Sequence, residues 1–166
     1  MVNPGSMGQE ATSLELELAD DEATLALGRA LGRTLGAGAV LLLSGELGAG
    51  KTTLTRGLAA GLGVDPAYVI ASPTFTLLNI YPGRLELFHA DLYRLGPGEA
   101  DDLELLDQAA SGVLAVEWPE RAGQAWPAEA LRVELAHQDP GRRARVSGPA
   151  AAIARLAAEL AAGSKG

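Results

Sequence analysis

Residues 39–53 read AVLLLSGELGAGKTT. The run 39–44 has no charged residue, the pattern of a strand covered on both faces. Gly45-Glu46-Leu47-Gly48-Ala49-Gly50-Lys51-Thr52 then satisfies G-x-x-x-x-G-K-[ST] at every fixed position, and the context after it predicts a helix over 51–62, closed by Gly63. Each residue type has a physical reason. Glycines let backbone N–H groups turn inward and approach phosphate oxygens without side-chain clash. The helix start at Lys51 and Thr53 adds unpaired N–H groups and the positive end of its dipole. A lysine ammonium is a compact charge on a flexible stem, suited to reach between β- and γ-phosphates, where an arginine fork would fill the space differently. Lys51 is accordingly expected to be exposed, with no role in the core. The Thr52 hydroxyl is placed for a magnesium ion.

Lysine is otherwise nearly absent. The 13 basic residues include only Lys51 and Lys165 as lysines. A chain of 166 residues with 48% hydrophobic content reads as a single globular domain. We expect residues 1–12 to be a flexible tail and 13–163 the folded domain. The net charge of −8 argues against direct gripping of tRNA or DNA backbone, because that binding rests on Lys and Arg neutralising phosphates. No cysteine is present, so thiolate chemistry and cysteine zinc sites are excluded. No apolar run approaches a membrane span, and the expected location is the cytoplasm.

Working outward, SLELEL (13–18) alternates like a half-buried strand, and Asp20 offers an N-cap for a helix over 21–35. Gly28 and Gly32, four apart, would let another backbone pack close. YVIASPTF (68–75) reads as a short strand running into a loop. Residues 76–90 read as two strands joined at YPGR, 97–111 as a helix, and VLAVEWPE (113–120) as a second buried strand stopped by Pro119. Residues 130–148 form a hairpin turning at DPG, followed by a helix over 149–163. Strands alternating with helices, together with hairpins, predict an α/β fold: a P-loop NTPase-like three-layer sandwich with a mixed central sheet.

A phosphate loop of this kind needs an acid on a neighbouring strand to hold magnesium. Two strands end in one, at Asp91 and at Glu117. VLAVE is uniformly apolar up to its acid and looks central; LELFHAD alternates and looks half exposed. The pattern therefore favours Glu117. Asp91 is open to a second reading, as a cap or a partner of Arg94. His89 reads as a strand residue with a satisfied ring, His137 as an exposed residue near the hairpin turn. SPTF (72–75) lies where nucleotide switches sense a γ-phosphate, and Thr74 has the hydroxyl to do so. Trp118 and Tyr93 are the polar-tipped aromatics nearest the acids.

GELGAGKTT, SPTFTLLNIY, HADLYRL and VEWPER occur in one order, with DDEATLALGRAL upstream. Together they resemble the TsaE (YjeE) family, small bacterial ATPases required for threonylcarbamoyladenosine on tRNA. The resemblance covers about residues 14–147. It implies ATP on residues 45–53, magnesium held by Thr52 and Glu117, and Asp91 close by and needed for hydrolysis. It further implies SPTF as a first switch, with Asp21, Thr24, Gly141 and Arg142 near the base and ribose. The implied partners are TsaB and TsaD, TsaD transferring the threonylcarbamoyl group. The modified adenosine would lie next to the anticodon of tRNAs reading codons that start with A, and tRNA would be reached only indirectly.

Competing readings remain. A small-molecule kinase would share the sandwich but usually needs a lid of arginines over the phosphates, and GRRAR (141–145) is the only arginine cluster. A GTPase would use an N/T-K-x-D loop, and no lysine occurs between 52 and 164. A non-catalytic subunit would bind ATP and never turn it over.

Overall fold

The computed structural model describes residues 11–73, 76–96, 99, 104–122 and 126–165. In chain order the elements are β1 (Ala11–Leu18), α1 (Asp21–Thr34), β2 (Val40–Ser44), α2 (Lys51–Gly61), β3 (Leu78–Tyr81) and β4 (Leu87–Asp91). They continue with α3 (Leu105–Gln108), β5 (Val113–Glu117), a 3-10 turn at Pro119–Arg121, β6 (Leu131–His137), β7 (Arg142–Pro149) and α4 (Ala150–Gly163). The strands form one sheet ordered β1-β7-β6-β2-β5-β4-β3. The inner four, β6, β2, β5 and β4, run parallel. The flanking pairs β1–β7, β6–β7 and β3–β4 are antiparallel. The mixed α/β sheet is thus the architecture expected from the sequence. Parallel strands bring their C-terminal ends to one edge, which is where open α/β sheets bind ligands.

One sheet face is covered by α1, α2 and α4. Leu27, Leu31, Leu54, Leu58, Ile153 and Leu156 pack there with Leu41, Leu43, Ala115, Val133 and Val146. The two helices of the α1–α2 pair meet backbone to backbone. A methyl on Gly28 would collide with the Leu54 carbonyl, and one on Gly57 with the Leu25 carbonyl. Alanine is the better helix former by about 1 kcal/mol, but overpacking of this kind costs about 1–3 kcal/mol, so the close approach decides in favour of glycine.

The opposite face is thinner. Leu42, Phe88, Ala90, Leu114 and Val116 are covered by Leu105 and Ala109, with Trp118 and Trp126 alongside. The helix expected over 97–111 appears only as the four residues of α3, while 97, 98 and 100–103 lie outside the described residues.

Other expectations need correction. β4 is not half exposed: Leu87, Phe88, His89 and Ala90 are all buried, because β3 and β5 flank it and both faces are covered. Residues 69–73 form no strand, and Val69 is 84% exposed. β1 begins two residues earlier than the alternation suggests. Pro149 is the N-cap of α4 rather than a first-turn residue. The hairpin at residues 138–141 and the Asp20 cap of α1, whose side chain accepts from Ala23 N–H, are as expected.

Candidate functional site

β2 delivers the chain to the glycine loop at the C-terminal edge of the sheet. The loop turns at Gly48 and Gly50, with φ of 78° and 107°, a region that glycine occupies without strain. Gly50 is the N-cap of α2; among the described residues no side chain caps the helix, and its first turn carries no acid. Its N-terminal N–H groups and dipole are therefore directed at the loop with no carboxylate of their own to satisfy them.

Lys51 is not the exposed residue that the sequence suggests. It is 5% exposed. Its Nζ donates to the Gly45 carbonyl and, at 2.9 Å, to the Glu46 carbonyl. It also lies 4.5 Å from the ring centroid of Trp118. Burial pushes its pKa down, opposed by the charges of Glu117, Asp91 and Glu120. The ammonium is thus held inside the loop, roofed by an aromatic ring.

Two neighbouring strand ends place the acids. β4 and β5 pair in parallel with Asp91 opposite Glu117, and β5 pairs with β2 so that Glu117 lies opposite Leu43. Glu117 is 2% exposed. Its Oε1 accepts from Thr52 Oγ1 at 3.4 Å, and its Oε2 from Ser72 Oγ at 3.2 Å. Thr52 and Ser72 are 2.7 Å apart through their hydroxyls. His89, fully buried, brings Nε2 to 2.7 Å from Glu117 Oε2. Its ring is satisfied at one nitrogen only, since Nδ1 has no partner among the described residues.

Asp91 has fewer ties. Its Oδ1 accepts the Tyr93 N–H at 3.0 Å, a local turn. Burial is the main cause that raises its pKa, offset by that hydrogen bond, with Glu117 raising it and His89 and Lys51 lowering it. Tyr93 packs on Trp118, ring centroids 4.9 Å apart.

A second cluster lies beside the loop. Arg142 Nη1 donates to Asp21 Oδ1 at 2.7 Å and to Thr24 Oγ1 at 3.1 Å. A methyl on Gly50 would fall 2.8 Å from Arg142 Nε. Gly141 turns at φ 84°, and a methyl there would strike the Leu18 carbonyl. The fold therefore brings Asp21, Thr24, Gly141 and Arg142 together against the glycine loop. His137 is exposed and lines a cleft with Gly45, Glu46 and Ala49. Thr74 lies outside the described residues.

Reasoning from sequence misses two participants, Ser72 and the His89–Glu117 bond. Strand alternation carries a signal for His89, since residues 89 and 91 share a face. SPTF draws attention in the sequence, but through its threonine rather than its serine.

The arrangement fits a polyphosphate with a magnesium ion. The uncapped α2 N-terminus and buried Lys51 suit phosphate oxygens. Among the described residues no three of His, Asp or Glu gather into a metal cage. A divalent ion held by Thr52 and Glu117 would complete its shell with water and phosphate, as magnesium does.

The model of the family described as "Threonylcarbamoyl adenosine biosynthesis protein TsaE" matches residues 18–145. The chain belongs to the TsaE family. A relative in Nostoc sp., named tRNA threonylcarbamoyladenosine biosynthesis protein TsaE, is 48% identical over 132 residues, 76% of this chain and 80% of the relative. A Streptomyces coelicolor relative of the same name is 45% identical over 66% of this chain and 76% of its own length. The crystal structure of Bacillus subtilis YdiB superposes with a TM-score of 0.71 at 29% identity, covering 93% of this chain and 98% of that one. This likeness agrees with a P-loop-like fold. The span matched by the TsaE family contains the glycine loop, both carboxylates, His89 and Arg142. The family places the chain in tRNA threonylcarbamoyladenosine biosynthesis. Among the described residues no helix is long and apolar enough to cross a membrane.

Proposed function

We propose that this TsaE-family chain binds ATP with magnesium at residues 45–53, hydrolyses it slowly when alone, and acts as a nucleotide switch on a TsaB–TsaD complex. The observation that carries this reading is the join between Thr52, at the start of α2, and the buried Glu117 at the end of the adjacent central strand. That join puts a hydroxyl and a carboxylate side by side at the mouth of a glycine loop.

Backbone N–H groups of Glu46, Leu47, Gly48, Ala49, Gly50 and Thr53 line the phosphates in this reading. Lys51 trades its loop carbonyls for the phosphate oxygens. Thr52 and Glu117 hold the ion; bound magnesium would neutralise charge developing between the β- and γ-phosphoryl oxygens. Asp91, with one carboxylate oxygen free of the Tyr93 bond, orients the attacking water. Asp21, Thr24, Gly141 and Arg142 flank the ribose and base. Ser72, the first residue of SPTF, is tied to Thr52, so filling the metal site acts on Ser72; Thr74, outside the described residues, is the γ-phosphate sensor in this reading. A ligand shifts such a segment only by its differential affinity, so ATP and ADP must differ in what they present to the partner. A net charge of −8 is consistent with tRNA being reached through the partner. On this reading the chain works in the cytoplasm.

The test is binding to purified TsaB–TsaD in the presence of a slowly hydrolysed ATP analogue or of ADP, with phosphate release measured on mixing. We expect about tenfold tighter binding with the analogue and an altered hydrolysis rate. Equal affinity in both states with an unchanged rate contradicts the switch. Phosphate transfer to a small-molecule acceptor would favour a kinase instead.

A further inference from the structure

Resting on the nucleotide–magnesium reading above, we infer that His89 is a positioning residue that fixes which oxygen of Glu117 faces the metal. His89 sits in the middle of β4 and is fully buried. On a strand, residues 89 and 91 share a face, and β5 pairs in parallel so that His89 lies opposite Ala115 and Asp91 opposite Glu117. The imidazole reaches diagonally along that face to the Glu117 carboxylate, Nε2 to Oε2 at 2.7 Å. A carboxylate only accepts, so Nε2 carries the hydrogen of this bond.

The two oxygens of Glu117 thereby acquire different surroundings. Oε2 is taken by His89 and by Ser72 Oγ. Among the described residues Oε1 has one hydrogen-bond contact, a long one of 3.4 Å to Thr52 Oγ1. The histidine bond is the shortest of the three, and it comes from a β-sheet residue rather than from a loop. It holds the carboxylate against rotation about its last torsion and leaves Oε1 beside the threonine hydroxyl, the pair that the reading assigns to magnesium.

Filling space does not account for this residue. His89 Nδ1 is buried without a partner among the described residues, and buried polar atoms are ordinarily paired. A leucine would fill the position without leaving a polar atom unpaired. The unpaired nitrogen is tolerated where the other nitrogen is aimed at a carboxylate. Groups that orient a metal ligand in this way typically change metal affinity by about 10–100-fold when removed.

The experiment measures ATP affinity with magnesium and with EDTA, for the wild type and for His89→Leu, His89→Asn and His89→Gln. Circular dichroism checks each fold. Magnesium is expected to tighten ATP binding in the wild type. His89→Leu and His89→Asn, which lack the donor or retract it, are expected to lose about 10–100-fold of that tightening, with affinity in EDTA unchanged. His89→Gln, which carries an N–H to a similar reach, is expected to recover most of it. In a Glu117→Gln background, His89→Asn is expected to add no further loss. Magnesium-dependent tightening that stays at the wild-type level in His89→Asn overturns the inference. An equal loss with and without magnesium also overturns it, because that is the mark of a merely structural role. If His89→Leu fails to fold, the contrast between the Asn and Gln variants decides the matter. A wild type whose ATP affinity ignores magnesium is a different result, and it overturns the underlying reading together with the inference.

Discussion

Asp91 and Glu117 stand opposite each other at the ends of adjacent parallel strands, yet the fold treats them differently. Glu117 is buried, and histidine, serine and threonine side chains converge on its two oxygens. Asp91 is only partly buried and accepts one backbone N–H, from two residues further along its own chain. The sheet thus provides one carboxylate fixed in orientation and one left loosely tied. A fixed acid suits a role as metal ligand. A loosely tied acid whose pKa is pushed up by burial suits positioning a water molecule.

The largest effect is expected at Glu117. Glu117→Gln keeps the size of the side chain and removes its charge. It should abolish the effect of magnesium on ATP affinity and reduce phosphate release by about 10³-fold, on the scale of losing an electrostatic catalytic group. Retained magnesium dependence would mean that the buried acid is structural. Asp91→Asn should act on hydrolysis alone. Phosphate release should fall by about 10²-fold while ATP affinity stays within a factor of about three of the wild type, well under the tenfold that about 1.4 kcal/mol represents. Equal affinity losses in the two variants would erase the distinction between them.

A smaller effect concerns pH. Because the pKa of Asp91 is raised in the folded state, the folded chain holds that proton more tightly than the unfolded chain. The contribution of Asp91 to stability therefore declines as pH rises from its ordinary value of 3.8 through its folded value. The amide in Asp91→Asn has no such titration, while its side-chain oxygen still accepts the Tyr93 N–H. Denaturant melts across the acid range should show a gap between Asp91→Asn and wild type that opens in favour of the variant as pH rises. A gap that stays constant with pH would mean that Asp91 is not desolvated. Hydrolysis that needs ionised Asp91 should likewise lose its acid limb at a pH above the usual aspartate range.

The glycine loop and Glu117 are legible in the sequence because their signals are local. The loop declares itself in eight consecutive residues, and an uninterrupted apolar run leads straight to Glu117. β4 misleads for a reason of the opposite kind. Glu86 and His89 interrupt its apolar run and make LELFHAD look half exposed, yet His89 is buried because its partner arrives from a strand 28 residues away. The contact of Arg142 with Asp21 spans 121 positions, and only the family resemblance points to it. Lysine ordinarily lies at the surface; carbonyls of its own loop and the Trp118 ring draw Lys51 in. For His89 and Arg142 the missing information lies in how distant segments meet; for Lys51 it lies as much in how its own loop folds back on the side chain.

Nucleotide binding at the glycine loop is decided by titrating the folded wild type and Lys51→Ala with ATP in the presence of magnesium. Saturable binding at one site is expected in the wild type, with an affinity at least about 100-fold weaker in the variant, the scale of removing a charge-assisted hydrogen bond at a buried position. Absence of saturable binding in the wild type, or equal binding in a folded Lys51→Ala, would contradict nucleotide binding at this loop.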